Sequence, residues 1–158
     1  MTQEYPYLPA GRSILYVPIT NPFMAEAKRV CMKYSTDHNH PTGAVVVKDG
    51  TIIGRGANQS AIRNAWLLNA HKKYLCVRKW LHVKSGTLYW LCPGCASAKM
   101  HAEPRAVRDA QKNCSDINDA DLYLWGHWWC CKPCWDAMIA AGIRNVYLLD
   151  ESIVLFKK

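Results

Sequence analysis

Residues 121–149 read DLYLWGHWWCCKPCWDAMIAAGIRNVYLL, and this stretch carries the fold. The run at 121–125 is short, apolar and aromatic, as a buried strand is. Helical composition follows at 133–141 and stops at Gly142, a residue suited to the left-handed turn that ends helices. A second strand, NVYLL, occupies 145–149. Strand, helix and strand in this order favour parallel pairing, which places the chain in the α/β class. The expected architecture is a three-layer α/β/α sandwich around a mixed central sheet.

Working outward, 103–112 has the composition of another helix. GAVVVKDGTIIGRGAN (43–58) reads as a hairpin, with strands at 44–48 and 51–55 around an Asp49-Gly50 turn. Asn21 offers an N-cap and Pro22 a first helical residue, so a helix runs from there to about 34. Residues 1–20 are proline-bearing and aperiodic, and read as an extended arm. Between 59 and 100 the pattern breaks down into an irregular insertion rich in Trp, His, Lys and Cys, with one helix near 60–75. The whole, 1–158, reads as one domain.

A chain of 17.9 kDa has room for one core. No run approaches the roughly 18 apolar residues of a membrane span, and MTQEYPYLPAGRS lacks the basic and apolar pattern of a leader. A cytoplasmic protein is expected. Twenty basic residues against twelve acidic give +8, which suits an anionic ligand such as a nucleotide or a nucleic acid. Of the eight cysteines, Cys92 and Cys95 form one C-x-x-C pair and Cys131 and Cys134 another. In a reducing compartment such pairs point to metal rather than to disulfides. Cys31 and Cys114 stand alone and read as small apolar residues.

Two motifs open the two late helices: His101-Ala102-Glu103 and Cys131-Lys132-Pro133-Cys134. One imidazole and two thiolates make a three-ligand zinc site with a fourth position left for water, the catalytic arrangement. The positive helix ends favour thiolate over thiol. Glu103, two residues beyond His101, can face the site without ligating and can move a proton between water and a leaving group. The competing reading is a structural zinc closed by Cys130 or His127. His-Ala-Glu at a helix start counts against it.

H-x-E followed by P-C-x-x-C is the signature of zinc nucleobase deaminases, and over roughly 22–149 this chain resembles that superfamily. Within it the chain is similar to the deoxycytidylate deaminases. The resemblance implies hydrolysis of the exocyclic amine of a cytosine nucleotide, dCMP giving dUMP and ammonia. It also implies that Asn58 contacts the sugar, that the N–H of Ala102 meets the pyrimidine O2, and that the N–H of Cys131 stabilises the tetrahedral oxygen. An aromatic residue of WGHWW, Trp128 or Trp129, is expected on the base; adjacent strand-end residues face opposite ways, so at most one of them does so. Lys112 and Arg108 are the leading phosphate contacts, with Arg105 and Lys132 behind them. Three features depart from the family pattern. Cys130 replaces the motif proline, the loop before the cysteines is long and aromatic, and the chain ends soon after Leu149.

His71, Cys76, Cys92 and Cys95 suit a second, structural zinc, with His82 as the alternative histidine; some deoxycytidylate deaminases carry such an ion in this region. Seven tryptophans exceed what one small core readily buries, and family members are commonly oligomers, so a homo-oligomer is expected. Two rival classes are an RNA or DNA base deaminase and a non-catalytic zinc-stabilised binding module.

Overall fold

The structure, a computed structural model, describes residues 4–84 and 86–157. Five strands form one sheet in the order β1-β5-β4-β2-β3. They are β1 (Ile14–Val17), β2 (Gly43–Lys48), β3 (Thr51–Ala57), β4 (Asp121–Trp125) and β5 (Asn145–Leu149). β5 lies parallel to both β4 and β1, whereas β2 runs antiparallel to β3 and β4. The sheet is therefore mixed. Asp49 and Gly50 both have positive φ, the geometry of a two-residue hairpin turn.

Alternation along the strands separates two cores. Val45, Val47 and Tyr123 pack beneath α1 (Pro22–Tyr34) together with its Met24, Ala27 and Val30. Ala44, Val46, Leu122, Leu124, Val146 and Leu148 face the other way. There they meet α4 (Ala102–Asn113) and α5 (Lys132–Ala140). The start of α1 follows from its sequence: Asn21 Oδ1 accepts from the N–H groups of Phe23 and Met24 at 3.0 and 3.2 Å, and Pro22 opens the helix.

Two expectations change. The segment 1–20 is not an arm throughout, because Ile14–Val17 forms β1 and extends the sheet beside β5. The partner lies some 130 residues downstream, and four residues are too few to show a period. Within 59–100 the helix near 60–75 is α2 (Ala65–Ala70), capped by Asn64 and continued by a π-helical turn over His71–Leu75. A short helix, α3 (Val77–Trp80), starts at Cys76. A last helix, α6, covers Ser152–Phe156.

Candidate active site

Both C-x-x-C and H-x-E sit at helix starts on the same side of the sheet. His101 is the N-cap of α4 and Cys131 that of α5, each with extended backbone. What brings α4 so close is glycine. A Cβ at Gly56 would lie 2.3 Å from the backbone N of Ala106 and 2.4 Å from the carbonyl O of Ala102. One at Gly54 would collide with the backbone of Ala106 and Ala110. Ala102, Ala106 and Ala110 recur every four residues and are fully buried, so the helix backbone rests directly on β3.

His101 Nδ1 lies 3.3 Å from Cys134 Sγ and 3.6 Å from Cys131 Sγ, and the two sulfurs are 3.1 Å apart. Metal bonds of about 2.0–2.3 Å to N and S imply tetrahedral edges of roughly 3.3–3.8 Å. The observed triangle is close to that and slightly tighter, so the three donors fit zinc. A hydrogen bond with Cys134, helped by the His101 ring, pulls the Cys131 thiol down to about 5 against the effect of burial. That is the form in which a thiol ligates.

Neither candidate fourth ligand closes the triangle. The metal-ligand group comprises only His101, Cys131 and Cys134 among the described residues. The Nδ1 of His127 accepts from the N–H of Trp128 at 3.1 Å and of Trp129 at 3.4 Å, and burial lowers its pKa to about 4. It is a neutral ring turned to the backbone. Cys130 is fully buried, with its thiol against Glu103 and burial raising its pKa well above the ordinary range. Glu103 is itself buried, which pushes its carboxyl up, while the His101 ring beside it works the other way.

A cleft of about 180 Å³ opens onto this triangle. It is smaller than the ~300 Å³ usual for drug-sized ligands and suits a single ring with a short appendage. Asn58 and Ala102 line it, as do His101, Glu103 and Cys131. The amide of Asn58 is held in place: its Oδ1 accepts from Thr42 N–H at 2.9 Å and Ser35 O–H at 2.6 Å, and its Nδ2 donates to the His40 carbonyl at 2.7 Å. Trp129 is on the cleft wall. Trp128 is not among the lining residues; its ring stacks with Tyr5, and Lys157 lies 4.7 Å above it.

The cations of α4 do not line the cleft. Arg108 and Lys112 are exposed, and Arg108 donates to the Lys99 carbonyl at 2.6 Å. The stripe of Ala102, Ala106 and Ala110 packs on the sheet, which turns positions 108 and 112 to solvent. Lys112 is also about 16 Å along the helix axis from His101. Arg105 is likewise absent from the wall, and Lys132 pairs with Asp136. The cations that do line the cleft are Arg78 and Lys79, with His82 beside them. Sequence reading did not single them out. The available signal was a segment, 59–100, with seven Lys or Arg and no Asp or Glu.

The insertion brings together His71, Cys76, Cys92 and Cys95, all four buried, with donor atoms within 4.8 Å of one another. His71 Nε2 is 3.1 Å from Cys92 Sγ and 3.7 Å from Cys95 Sγ, and Cys76 and Cys95 are 3.7 Å apart. A Cβ at Gly94 would lie 2.2 Å from the His71 ring, so the turn of C-P-G-C needs glycine to let the imidazole in. Four buried N and S donors fit a closed tetrahedral ion.

The mixed sheet, the paired helix starts and the His-Cys-Cys triangle beside a buried glutamate define a zinc-dependent deaminase. Residues 19–150 match the family model described as the cytidine and deoxycytidylate deaminase zinc-binding region, and the chain belongs to that family. The dCMP deaminase of cyanophage S-TIM5, solved with dCMP and dUMP, is 20% identical, with a TM-score of 0.51 over 88% of this chain and 90% of that one. It shares the fold. The Thermotoga maritima diaminohydroxyphosphoribosylaminopyrimidine deaminase/5-amino-6-(5-phosphoribosylamino)uracil reductase is 26% identical (TM-score 0.47) over 81% of this chain, which spans only 29% of that longer protein. Guanine deaminase from Bacillus subtilis is 22% identical, with a TM-score of 0.47 over 85% and 68% of the two chains. No curated protein sequence matches the chain significantly.

Proposed function

We propose that the chain hydrolyses the amine of a cytosine nucleotide, dCMP giving dUMP and ammonia. The observation that carries this reading is the buried Glu103 beside the His101–Cys131–Cys134 triangle, at the floor of a cleft sized for one base. His101, Cys131 and Cys134 would hold a zinc ion, which would supply the Lewis acidity that activates a water. Glu103 takes the proton of the attacking water and returns it to the departing amine. Burial raises its affinity for that proton, the direction such a shuttle requires. The first-turn N–H of Ala102, left without a helical partner at the start of α4, is available to the base oxygen. The N–H of Cys131 stabilises the tetrahedral oxygen. Asn58 holds the sugar, and Trp129 walls the ring.

The nucleotide is preferred over the nucleoside because the cleft has a cationic wall, and deoxycytidylate is one of the two substrates in the family's description. His71, Cys76, Cys92 and Cys95 are assigned to a second, structural zinc that stands in for the core the insertion lacks. The chain is read as one catalytic domain with that insertion at 59–100. A homo-oligomer is inferred from Trp66, Tyr74, Trp80 and Trp90, which are 60–78% exposed on the insertion. No helix among the described residues is long and apolar enough to cross a membrane, and eight free thiols suit a cytoplasmic setting.

One observation favours a second reading. The same exposed tryptophans lie in a segment with seven cations and no carboxylate, as in a surface that binds single-stranded nucleic acid. Ammonia release from dCMP, dCTP, deoxycytidine and a cytosine-containing oligonucleotide decides between the two. dCMP is expected to be turned over best, and turnover of the oligonucleotide alone would replace the proposal.

A further inference from the structure

The cleft has a wall that the deamination chemistry does not use. Arg78 and Lys79 follow Cys76 directly, on α3, and both face the cleft that exposes His101 and Glu103. Neither meets a carboxylate within ion-pair distance among the described residues. Lys79 Nζ donates to Asn39 Oδ1 at 2.9 Å, a neutral partner. Arg78 donates to the Lys84 carbonyl at 3.3 Å and lies 4.4 Å over the Tyr89 ring, and its Nε is buried without a hydrogen-bond partner.

The carboxylates that share the cleft are engaged elsewhere. Asp37 accepts from the backbone N–H groups of Asn39, His40 and Ala96. Glu103 lies buried on the floor. Two cations without carboxylate ion pairs among the described residues therefore line the same cleft as His101, Glu103 and Cys131. Their position depends on the second cluster. Cys76 begins α3, and Arg78 lies against the Cys95 thiol. Tyr89, under the guanidinium, meets the His101 ring edge-on at 4.5 Å.

We propose that Arg78 and Lys79 form the subsite for the substrate's phosphate, and that the His71–Cys76–Cys92–Cys95 cluster holds this subsite at the mouth of the catalytic cleft. The proposal rests on the reading of the substrate as a nucleoside monophosphate. A fork of N–H donors and a mobile ammonium are the groups that phosphate oxygens recruit. A metal held by these four residues would thus influence substrate affinity through the helix that starts at Cys76.

The test is binding of dUMP and of deoxyuridine, followed by calorimetry on the zinc-loaded protein, so that the readout is independent of turnover. The wild type should bind dUMP about a hundredfold more tightly than deoxyuridine, and the double variant Arg78→Ala/Lys79→Ala should bring the two within a few-fold. Lys79→Ala alone, which touches no cluster ligand, should lose about tenfold for dUMP. Cys92→Ser should weaken dUMP far more than deoxyuridine. If it does not fold, the double variant, which keeps all seven metal ligands, still decides the matter. A wild-type preference that survives in the double variant but vanishes in Lys112→Ala or Arg108→Ala overturns the subsite and leaves the nucleotide reading intact. Loss confined to Arg78→Ala and accompanied by loss of metal overturns it too, making Arg78 a counter-charge for the cluster. Equal wild-type affinity for dUMP and deoxyuridine removes the nucleotide reading and the subsite with it.

Discussion

In the proposed mechanism Glu103 moves protons without ligating the metal. The carboxylate is buried beside the three ligands of the triangle yet belongs to neither metal-ligand group. Replacing it by glutamine keeps the shape and removes the proton acceptor. Glu103→Gln is therefore expected to retain its zinc content and its thermal midpoint while kcat falls by more than about a hundredfold. Metal analysis, a melting curve and an ammonia assay on the same preparation check this. A variant within a few-fold of wild type would move the proton transfer to another group. Cys130 calls for the same comparison, because its thiol lies against this carboxyl.

Among the elements, α1 is tied to the hairpin by charge as well as by its apolar face. Glu26 pairs with Arg29 at 2.6 Å on its own helix and with Arg55 of β3 at 2.8 Å. Its hydrogen bond with Arg29, followed by that with Arg55, lowers its pKa from 4.5 to about 2 despite partial burial. A carboxylate lowered on folding stabilises the protein fully above its unfolded pKa, and that contribution is lost as the pH falls through the folded one. Both arginines are about half exposed, so the pair contributes about 1 kcal/mol or less. Glu26→Gln should accordingly lower stability at neutral pH by that amount, and by progressively less as the pH falls from about 4.5 towards 2. Urea unfolding between pH 2 and 7 reads the difference. A constant offset across the range would mean that packing, not charge, is the source.

At the scale of the molecule, the described residues hold two metal-ligand groups, one with three donors and one with four. Two zinc ions per chain are expected by elemental analysis. Cys92→Ser should remove one, lower the thermal midpoint and spare the chemical step in the protein that folds; a wild-type stoichiometry of one would leave the insertion cysteines as core residues. The exposed tryptophans of the insertion call for cover of their own. Light scattering should therefore report a mass well above the 17.9 kDa of one chain, and a monomer at micromolar concentration would count against self-association.

The division between what was legible in the sequence and what was not follows the range of the forces involved. Helix caps, the Asp49-Gly50 turn and the motifs at the starts of α4 and α5 rest on contacts within a few residues, so Asn21, His101, Cys131 and Cys134 could be picked out from spacing alone. The parallel strands of the last unit followed from the strand–helix–strand order. β1 did not, because its pairing with β5 joins segments 130 residues apart and a run of four residues carries no period. The choice between His71 and His82 was likewise open in the sequence. It depended on the space that Gly94 leaves for one imidazole, while His82 lies on the cleft wall. Basic residues look alike in a sequence whether they face solvent or a cleft. Only the seating of α4 on Gly54 and Gly56 turned Arg108 and Lys112 away, and only the return of the insertion over the sheet brought Arg78 and Lys79 to the cleft. The chemistry was written in local spacing, whereas the walls of the cleft come from segments that meet only when the chain has folded.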